Sequence, residues 1–465
     1  MASLCDKNMT QDECELNILR KAVDNADKIQ NIRLIESEKV KKMIEIVEKF
    51  IMQKKLICYG GTAINNILPK KLQFYDKGAS LPDYDFFSDN ALEDAKELAD
   101  IYSKNKYKNI EAKSGTHYGT YKIYVDFVPI ADITSLPHIL FSNLKKHSLI
   151  KDNIHYAPPN YLRMSMYLEL SRPEGDVSRW EKIQKRLSLL NSSFPMKKKV
   201  CNQNSVKIDV KTIQLLEKIF VSNKVVFFGD YALSHYMKNN DKEYFDVISN
   251  DPKDLSDKIL KKIKSNYKST NIKIIEHEEI GEVIPEHIEI QIDNTSIAFI
   301  YKSVACHNYN VIRGIRIATI DTMMSFYLAF LYSNKKHHDN EKIMCLTTEL
   351  FELYKNNKTN QKGVFKRFGI DCLGYQNTLG DIRLKKTQMY DKLTPGTKEW
   401  NEWFLNYNPN ECKNNKKITK TNKKHQDKNK NKSKKRILSK SNKTNTRKKK
   451  NMDLNSFINI MKKMI

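Results

Sequence analysis

Long apolar runs are missing from this 465-residue chain. The best stretch, Met323 to Tyr332, contains Ser325 and ends well short of the roughly 18 residues of a membrane-spanning helix. Glycine is scarce, with 14 residues, and no heptad pattern is sustained, which excludes collagen-like and coiled-coil architectures. The eight cysteines are scattered with no CxxC pair. That argues against a zinc ribbon or a secreted disulfide scaffold and fits a reducing compartment. The opening MASLCDKNMTQDE has no basic stretch followed by an apolar one, so no signal peptide is expected. Acids are in deficit: 81 Lys and Arg face 55 Asp and Glu, a formal charge of +26.

That charge is concentrated late in the chain. Residues 413–450 hold 18 Lys and Arg against one acid, Asp427, and leave only +9 for everything else. The segment is almost free of apolar residues and cannot bury enough surface to offset its ordering entropy, so it reads as disordered. Composition leaves two uses open, a solubilising tail or a tether for a polyanion, RNA first among them. Beyond it, Asp453 is placed to cap a short helix with Leu454, Phe457, Ile458, Met461 and Ile465 on one face.

The chain also contains itself twice. EKFIMQKKLICYGGTAI (48–64) aligns with EKIFVSNKVVFFGDYAL (217–233), bringing Glu48 onto Glu217, Lys55 onto Lys224, Gly60 onto Gly229 and Ala63 onto Ala232. Each block reads as the end of an apolar helix, a short buried strand (56–59 and 225–228), a glycine turn and a new helix. Two later blocks follow in the same order: Tyr84–Ser88 onto Phe245–Ser249, and Met164–Leu168 onto Met324–Leu328. A duplicated α/β domain follows from that order.

The copies differ where chemistry would sit. In the first, Gly60-Gly61-Thr62 allows a sharp reversal with backbone N–H groups close to a ligand, and the helix that follows adds partial positive charge suited to a phosphate. On a strand, Asp83 and Asp85 share one face while Tyr84 and Phe86 take the other. Two carboxylates on one face repel, and a divalent cation relieves that cost. A solvated strand end or a turn starting at Pro82 is the alternative. A third acid, Asp126, is expected inside a strand from Tyr121 to Val128, with Val125 and Phe127 facing the other way. Asp132, after Pro129, is the runner-up. In the second copy Gly61 becomes Asp230, Asp83 becomes Tyr244 and Arg163 becomes Met323. Only Asp246, matching Asp85, survives, and no acid occurs from Asn294 to Ile320. The second copy thus reads as apolar frame without metal site.

Other residues carry weaker signals. Arg163 is read as a phosphate contact, with a surface ion pair as the alternative. Lys182, Lys185 and Arg186 either line a groove for RNA or triphosphate or form a solvated helix face. Cys58 reads as a small core residue. His337-His338 has no second ligand pair at metal spacing, so no zinc is assigned there.

Gly60-Gly61 before a helix, Asp83-x-Asp85 and a single strand aspartate resemble the nucleotidyltransferase fold of the DNA polymerase β type. Longer strings are more specific. YGGTAINNILP, PDYDFFSDN and RWEKIQKRLSLLNSSFP (179–195) are similar to the poly(A) polymerase catalytic subunit of large DNA viruses, the mimivirus and poxvirus type. The resemblance is sharpest over 41–200, weaker through about 385 and absent from the basic tail. It implies an α/β (α+β) chain of tandem nucleotidyltransferase-like domains, the first active and the second degenerate. The expected divisions are a helical segment (1–40), the active domain (41–200), the degenerate domain (201–345), a helical extension (346–410), a basic linker (411–452) and a terminal helix (453–465).

The resemblance further implies transfer of AMP from ATP to RNA 3′ ends, as in mRNA polyadenylation. Two Mg2+ or Mn2+ ions would be held by Asp83, Asp85 and Asp126, with Asp126 also taking the hydroxyl proton and Gly60, Gly61 and Thr62 cradling the triphosphate. It implies a viral-factory or virion location in the cytoplasm and no membrane partner, and it is compatible with a homodimer and a viral mRNA-processing partner. Two alternatives stay open: a related nucleotidyltransferase with another nucleotide or acceptor, and a non-catalytic RNA-binding scaffold. The glycines and the acids count against the scaffold, the net charge favours a nucleic-acid acceptor, and only the resemblance selects ATP.

Overall fold

The structure, a computed structural model, describes residues 5, 9–75, 84–196, 209–236, 244–266, 271–358 and 360–410. Asp83, the basic segment 413–450, the helix expected after Asp453 and the division drawn at residue 200 lie outside these residues. The first helix, α1 (Gln11–Glu36), opens on a reciprocal capping box between Thr10 and Glu13. The next, α2 (Glu38–Lys54), buries Val40, Met43, Val47, Phe50 and Ile51 at helical spacing, and Lys55 in the left-handed region ends it.

The first half then runs through β1 (Ile57–Cys58), α3 (Gly60–Ile67), β2 (Tyr84–Ser88), α4 (Ala91–Lys104), β3 (Ile110–Ser114), β4 (Thr120–Val125) and β5 (Val128–Ser135). It closes with α5 (His138–His147), β6 (Leu149–Lys151), β7 (Ile154–Tyr156), α6 (Pro159–Leu170) and α7 (Trp180–Ser193). The second half repeats the plan: α8 (Val210–Ser222), β8 (Val226–Phe228), α9 (Gly229–Tyr236), β9 (Phe245–Ser249), α10 (Pro252–Asn266), β10 (Ile272–His277), β11 (His287–Ile292), β12 (Thr295–Lys302), β13 (His307–Ile312), β14 (Ile315–Ala318) and α11 (Ile320–Phe330). A C-terminal segment adds α12 (Asn340–Asn356), β15 (Cys372–Leu373), α13 (Leu379–Lys392), α14 (Lys398–Phe404) and β16 (Asn406–Tyr407).

The sheets are ordered β16-β3-β4-β5-β2-β1-β7-β6 and β10-β11-β12-β9-β8-β14-β13-β15. Leaving aside β15 and β16, the two orders coincide strand for strand, and so do the pairing directions. The first two strands of each half are antiparallel, as are the hairpin partners β4 with β5 and β11 with β12. The joins β2 to β5, β9 to β12, β1 to β7 and β8 to β14 are parallel. The duplication read from three short blocks therefore extends to the whole topology.

The halves share one apolar core. Helices α6 and α11, the repeated third block, pack against each other. Every residue of α11 is buried, which is why the best apolar run in the chain falls there without being a membrane span. Among the described residues no helix is long and apolar enough to cross a membrane. The C-terminal segment covers one edge of each sheet, β15 against β13 and β16 against β3. A disulfide between Cys306 and Cys372, 66 residues apart, accompanies the first of these contacts, and Cys5 is bonded to Cys14. Sequence spacing gave no sign of either pair, because tertiary contact creates the first. Cys58 is free and buried, as expected, and burial pushes its thiol pKa up.

The same segment is anchored by a buried ion pair. Arg367 Nε donates to Asp321 Oδ2 at 3.1 Å, its Nη2 pairs with Oδ1, and its Nη1 donates to Tyr354 Oη at 2.6 Å. Both charged side chains are essentially inaccessible to water. Truncating one partner strands the other charge in a low-dielectric site. Arg367→Ala should therefore lower the unfolding free energy by about 3–5 kcal/mol, whereas Arg367→Met combined with Asp321→Leu should lose much less. Urea denaturation midpoints of the two variants check this.

Candidate active site

The glycine turn forms as its residue types require. Gly60 has φ +70°, and a Cβ there would collide with Oδ2 of Asp85, so only glycine fits. Tyr59 N–H donates to the Asp85 carbonyl at 2.9 Å, which holds the turn against β2. Helix α3 begins at Gly60, and Gly61 and Thr62 stand in its first turn, where backbone N–H groups lack partners within the helix. Thr62 is buried.

Strand register decides which acid joins Asp85. Strand β2 runs parallel to β5 with Asp85 paired to Asp132. In-register residues of neighbouring strands point to one face about 4.8 Å apart. Two carboxylates thus stand side by side at the start of α3. Asp132 is also bound by Lys122 from the neighbouring strand β4. Oxygen donors at this spacing suit a hard divalent cation, which would remove the repulsion between the acids.

The expectation for Asp126 is overturned by the same register. Val125 pairs with Val128, so Asp126 and Phe127 form a two-residue hairpin loop between β4 and β5, with φ of 48° and 67°. Phe127 is 84% exposed instead of facing the core. The loop that holds Asp126 joins β5 at Val128, four residues or about 13 Å along the strand from Asp132 at roughly 3.3 Å per residue. The Asp126 carboxylate bonds Lys39 at 2.6 Å and Asn109 Nδ2 at 3.2 Å. Burial works to raise its pKa, but Lys39 and the Asn109 donors prevail and hold it below the ordinary carboxylate range. The second half repeats this device: Asp293 and Asn294 close the β11–β12 hairpin with φ of 48° and 65°, and Asn271 N–H donates to Asp293 Oδ1 at 3.2 Å. The Asp126 position is therefore kept in both halves, as a turn. Asp132 is the one replaced, since its counterpart opposite Asp246 is Phe299.

Arg163 is not a phosphate contact either. It is 2% exposed and donates through Nε to Asn191 Oδ1 at 2.7 Å, through Nη1 to Asn160 Oδ1 at 2.6 Å, and through Nη2 to the Phe194 carbonyl. It ties α6 to α7, and burial pushes its pKa down to about 10. Among the described residues, the cation that reaches the turn is Arg186. A Cβ on Gly61 would meet Arg186 Nη1 at 2.9 Å and Tyr75 Oη at 2.7 Å. The Arg186 guanidinium lies over the Phe74 ring at 4.7 Å and donates to Tyr75 Oη at 2.7 Å. Asn65 Oδ1 fixes that aromatic segment by accepting from the N–H groups of Phe74 and Tyr75, each at 2.8 Å. Lys182 is close enough that Arg186, ahead of burial and Arg179, pushes its pKa down. Lys185 instead pairs with Glu181 in solvent. Of the α7 cations, sequence alone did not separate Arg186 from its neighbours; only its approach to Gly61 does.

In the second half rings and an internal cation take the place of acids. Tyr244 and Phe299 meet edge to face at 5.1 Å, and Lys342 pairs with Asp230 at 3.2 Å while lying over the Tyr244 ring. Burial and the neighbouring Asp230 push the Asp246 pKa well above its ordinary value, against the pull of Lys342. With the folded pKa raised, the stability that Asp246 contributes is complete below the unfolded pKa of about 3.9 and falls as pH rises toward the folded value. Asp246→Asn removes that slope. It should raise the unfolding free energy at neutral pH relative to the wild type and change it less in acid. Thermal melts of both proteins across a pH series check it.

The chain resembles known proteins in sequence and in fold. Residues 45–176 match the family model "Poly(A) polymerase catalytic subunit". A putative poly(A) polymerase catalytic subunit of African swine fever virus (isolate Tick/Malawi/Lil 20-1/1983) is 33% identical over 191 residues, 39% of this chain and 40% of that protein. The corresponding protein of Acanthamoeba polyphaga mimivirus is 28% identical over 39% of this chain and 30% of its own length. The matches thus span less than half of these relatives. The crystal structure of the Megavirus polyadenylate synthase superposes with a TM-score of 0.74 over 88% of this chain and 87% of that one, at 19% identity. Through residues 45–176 the chain matches the poly(A) polymerase catalytic subunit family by sequence, and over most of its length it has the fold of a viral polyadenylate synthase.

Proposed function

We propose that this chain is a template-independent polynucleotide adenylyltransferase that adds AMP from ATP to RNA 3′ ends. The observation that carries the reading is the meeting of Asp85 and Asp132 beside the glycine turn, with Arg186 over Gly61. The donor set fits magnesium or manganese, which take carboxylate and phosphate oxygens together. Asp85 and Asp132, with Asp83 two residues earlier in the chain, would hold the ions. When bound, such ions polarise the α-phosphate and lower the pKa of the attacking hydroxyl.

The chain's own groups do the rest. The first N–H groups of α3, reached past two residues without side chains, receive the triphosphate. Arg186, its plane set by Phe74 and Tyr75, balances charge on the departing pyrophosphate. The Asp132 carboxylate takes the proton of the RNA 3′-hydroxyl, the role first assigned to Asp126. The +26 net charge favours RNA over a small acceptor. A second copy freed from catalysis leaves a surface for RNA or for another protein, a second copy of the chain included.

Incubating the protein with a short RNA and each NTP in turn, with Mg2+ or Mn2+, tests the reading on a sequencing gel. Extension only with ATP is expected. Asp85→Asn and Asp132→Asn should each lower the rate by at least about 10²–10³-fold, the scale of losing one preorganised charge-stabilising group. Asp126→Ala should stay within about threefold, since it removes a partly exposed ion pair and a turn contact worth roughly 1 kcal/mol or less. Full activity in Asp132→Asn with loss in Asp126→Ala would reverse the assignment.

The basic segment 413–450 serves in this proposal as an electrostatic tether that keeps the growing RNA near the site without entering the chemical step. Deleting residues 413–465 should leave addition of a single nucleotide at saturating RNA unchanged and shorten the products made per encounter, most of all at low salt. Equal product lengths across a salt series would assign the segment to solubility or localisation alone.

A further inference from the structure

Four of the eleven histidines, His277, His287, His337 and His338, gather at one place in the second half, away from the carboxylate pair. They come from three parts of the chain. His277 ends the edge strand β10, His287 begins β11 directly opposite it, and His337-His338 lie in the connection between α11 and α12. Sequence spacing gives His337-His338 no second ligand pair, so no zinc is assigned there from sequence. Strand pairing supplies the missing ligands.

From this geometry we infer that His277, His287 and His337 form a transition-metal site, with zinc the best-fitting ion. One ligand atom from each of the three rings lies within 4.8 Å of the other two. His287 and His337 face each other through Nε2 at 2.9 Å. Two imidazoles on one tetrahedral zinc, with bonds of about 2.0–2.1 Å, hold their nitrogens about 3.4 Å apart, so a small movement admits the ion.

The surrounding groups act as a metal's outer contacts do. His287 Nδ1 lies 3.0 Å from the Pro285 carbonyl, an acceptor only, so Nδ1 carries the proton and Nε2 keeps the lone pair a metal needs. His277 Nε2 lies 2.8 Å from Glu289 Oε2, and the other oxygen of that buried carboxylate accepts from Ser296 Oγ and Gln291 Nε2. A carboxylate that holds one imidazole nitrogen orients the ring and makes its second nitrogen a better donor. His338 stands behind His287 and His337, spanning Ser333 Oγ at 2.7 Å and Tyr301 Oη at 3.1 Å, and fixes the segment that presents His337. Three imidazoles suit zinc, with water as fourth ligand, and disfavour magnesium.

The site has a structural use. Strand β10 is an edge strand with no fully buried residue, so side-chain packing holds it weakly. A metal shared with His287 and His337 would clamp it to β11 and to the approach of α12, whose Lys342 pairs with Asp230.

The test uses the full chain without a polyhistidine tag, saturated with Zn2+, separated from free ion by gel filtration and analysed by mass spectrometry for metal. About one zinc per chain is expected. It should persist in Asp85→Asn and disappear in His277→Ala with His337→Ala. Co2+ substitution should give the visible absorption of a tetrahedral site in the wild type and not in that double variant. Should the double variant fail to fold, Glu289→Gln takes its place, with an expected loss of zinc affinity of about 10–100-fold. A wild-type chain that retains no zinc overturns the inference, as does zinc that leaves with Asp85→Asn but survives loss of the histidines or of the Glu289 carboxylate.

Discussion

Each half of the protein depends on one parallel strand pair. In the first, β2 and β5 run side by side so that Asp85 and Asp132 share a face, a placement that costs repulsion wherever positive charge is absent. The surroundings answer that cost with Lys122 against Asp132 and with the start of α3 beside Asp85. The glycine turn exists because a side chain at Gly60 would occupy the space of the Asp85 carboxylate. Strand order, turn and acid pair are thus one constraint seen from three directions.

The second half keeps the frame and releases the constraint. Gly229 still has positive φ, and a Cβ there would collide with Asp246, so the backbone geometry survives the change of chemistry. What changes is how negative charge is managed. Phe299 removes one carboxylate, Tyr244 fills the place matched to Asp83, and Lys342 balances Asp230. Burial and the neighbouring Asp230 then raise the pKa of Asp246 against the pull of Lys342. Nearby, imidazoles replace carboxylates as the metal-capable groups, and the suited ion changes from a hard one to zinc.

The two halves are joined as one body. Helix α6 packs on α11, and Arg163 holds α6 to α7 where Met323 occupies the matching place in α11. Residues at these contacts answer to packing, which explains why an arginine absent from the second copy proved to be a brace. The C-terminal segment, anchored through Arg367, then covers an edge of each sheet. Loss of a residue from one copy therefore marks a difference in environment, and only geometry says whether that environment is a ligand's or a neighbouring helix's.

Much was legible in the sequence because it rests on local patterns. The repeated helix–strand–glycine–helix unit, the Gly60-Gly61 turn, Asp85 on a strand, the buried Cys58 and the surviving Asp246 all follow from periodicity and from the conformations open to glycine. The extra acid, the useful cation and the histidine cluster did not. Asp126 and Asp132 are six residues apart in one apolar stretch, and a two-residue hairpin loop at Asp126-Phe127 decides which of them returns alongside Asp85. Arg186 and Lys185 are adjacent, and only the rotation of α7 against Phe74 and Tyr75 turns one inward. His277 and His337 are brought together by strand pairing and helix packing across sixty residues. Sequence by itself determined the duplicated architecture and pointed to carboxylate chemistry in the first half; tertiary structure alone decided which side chains come together in either half, because register and packing, not spacing along the chain, set the distances between them.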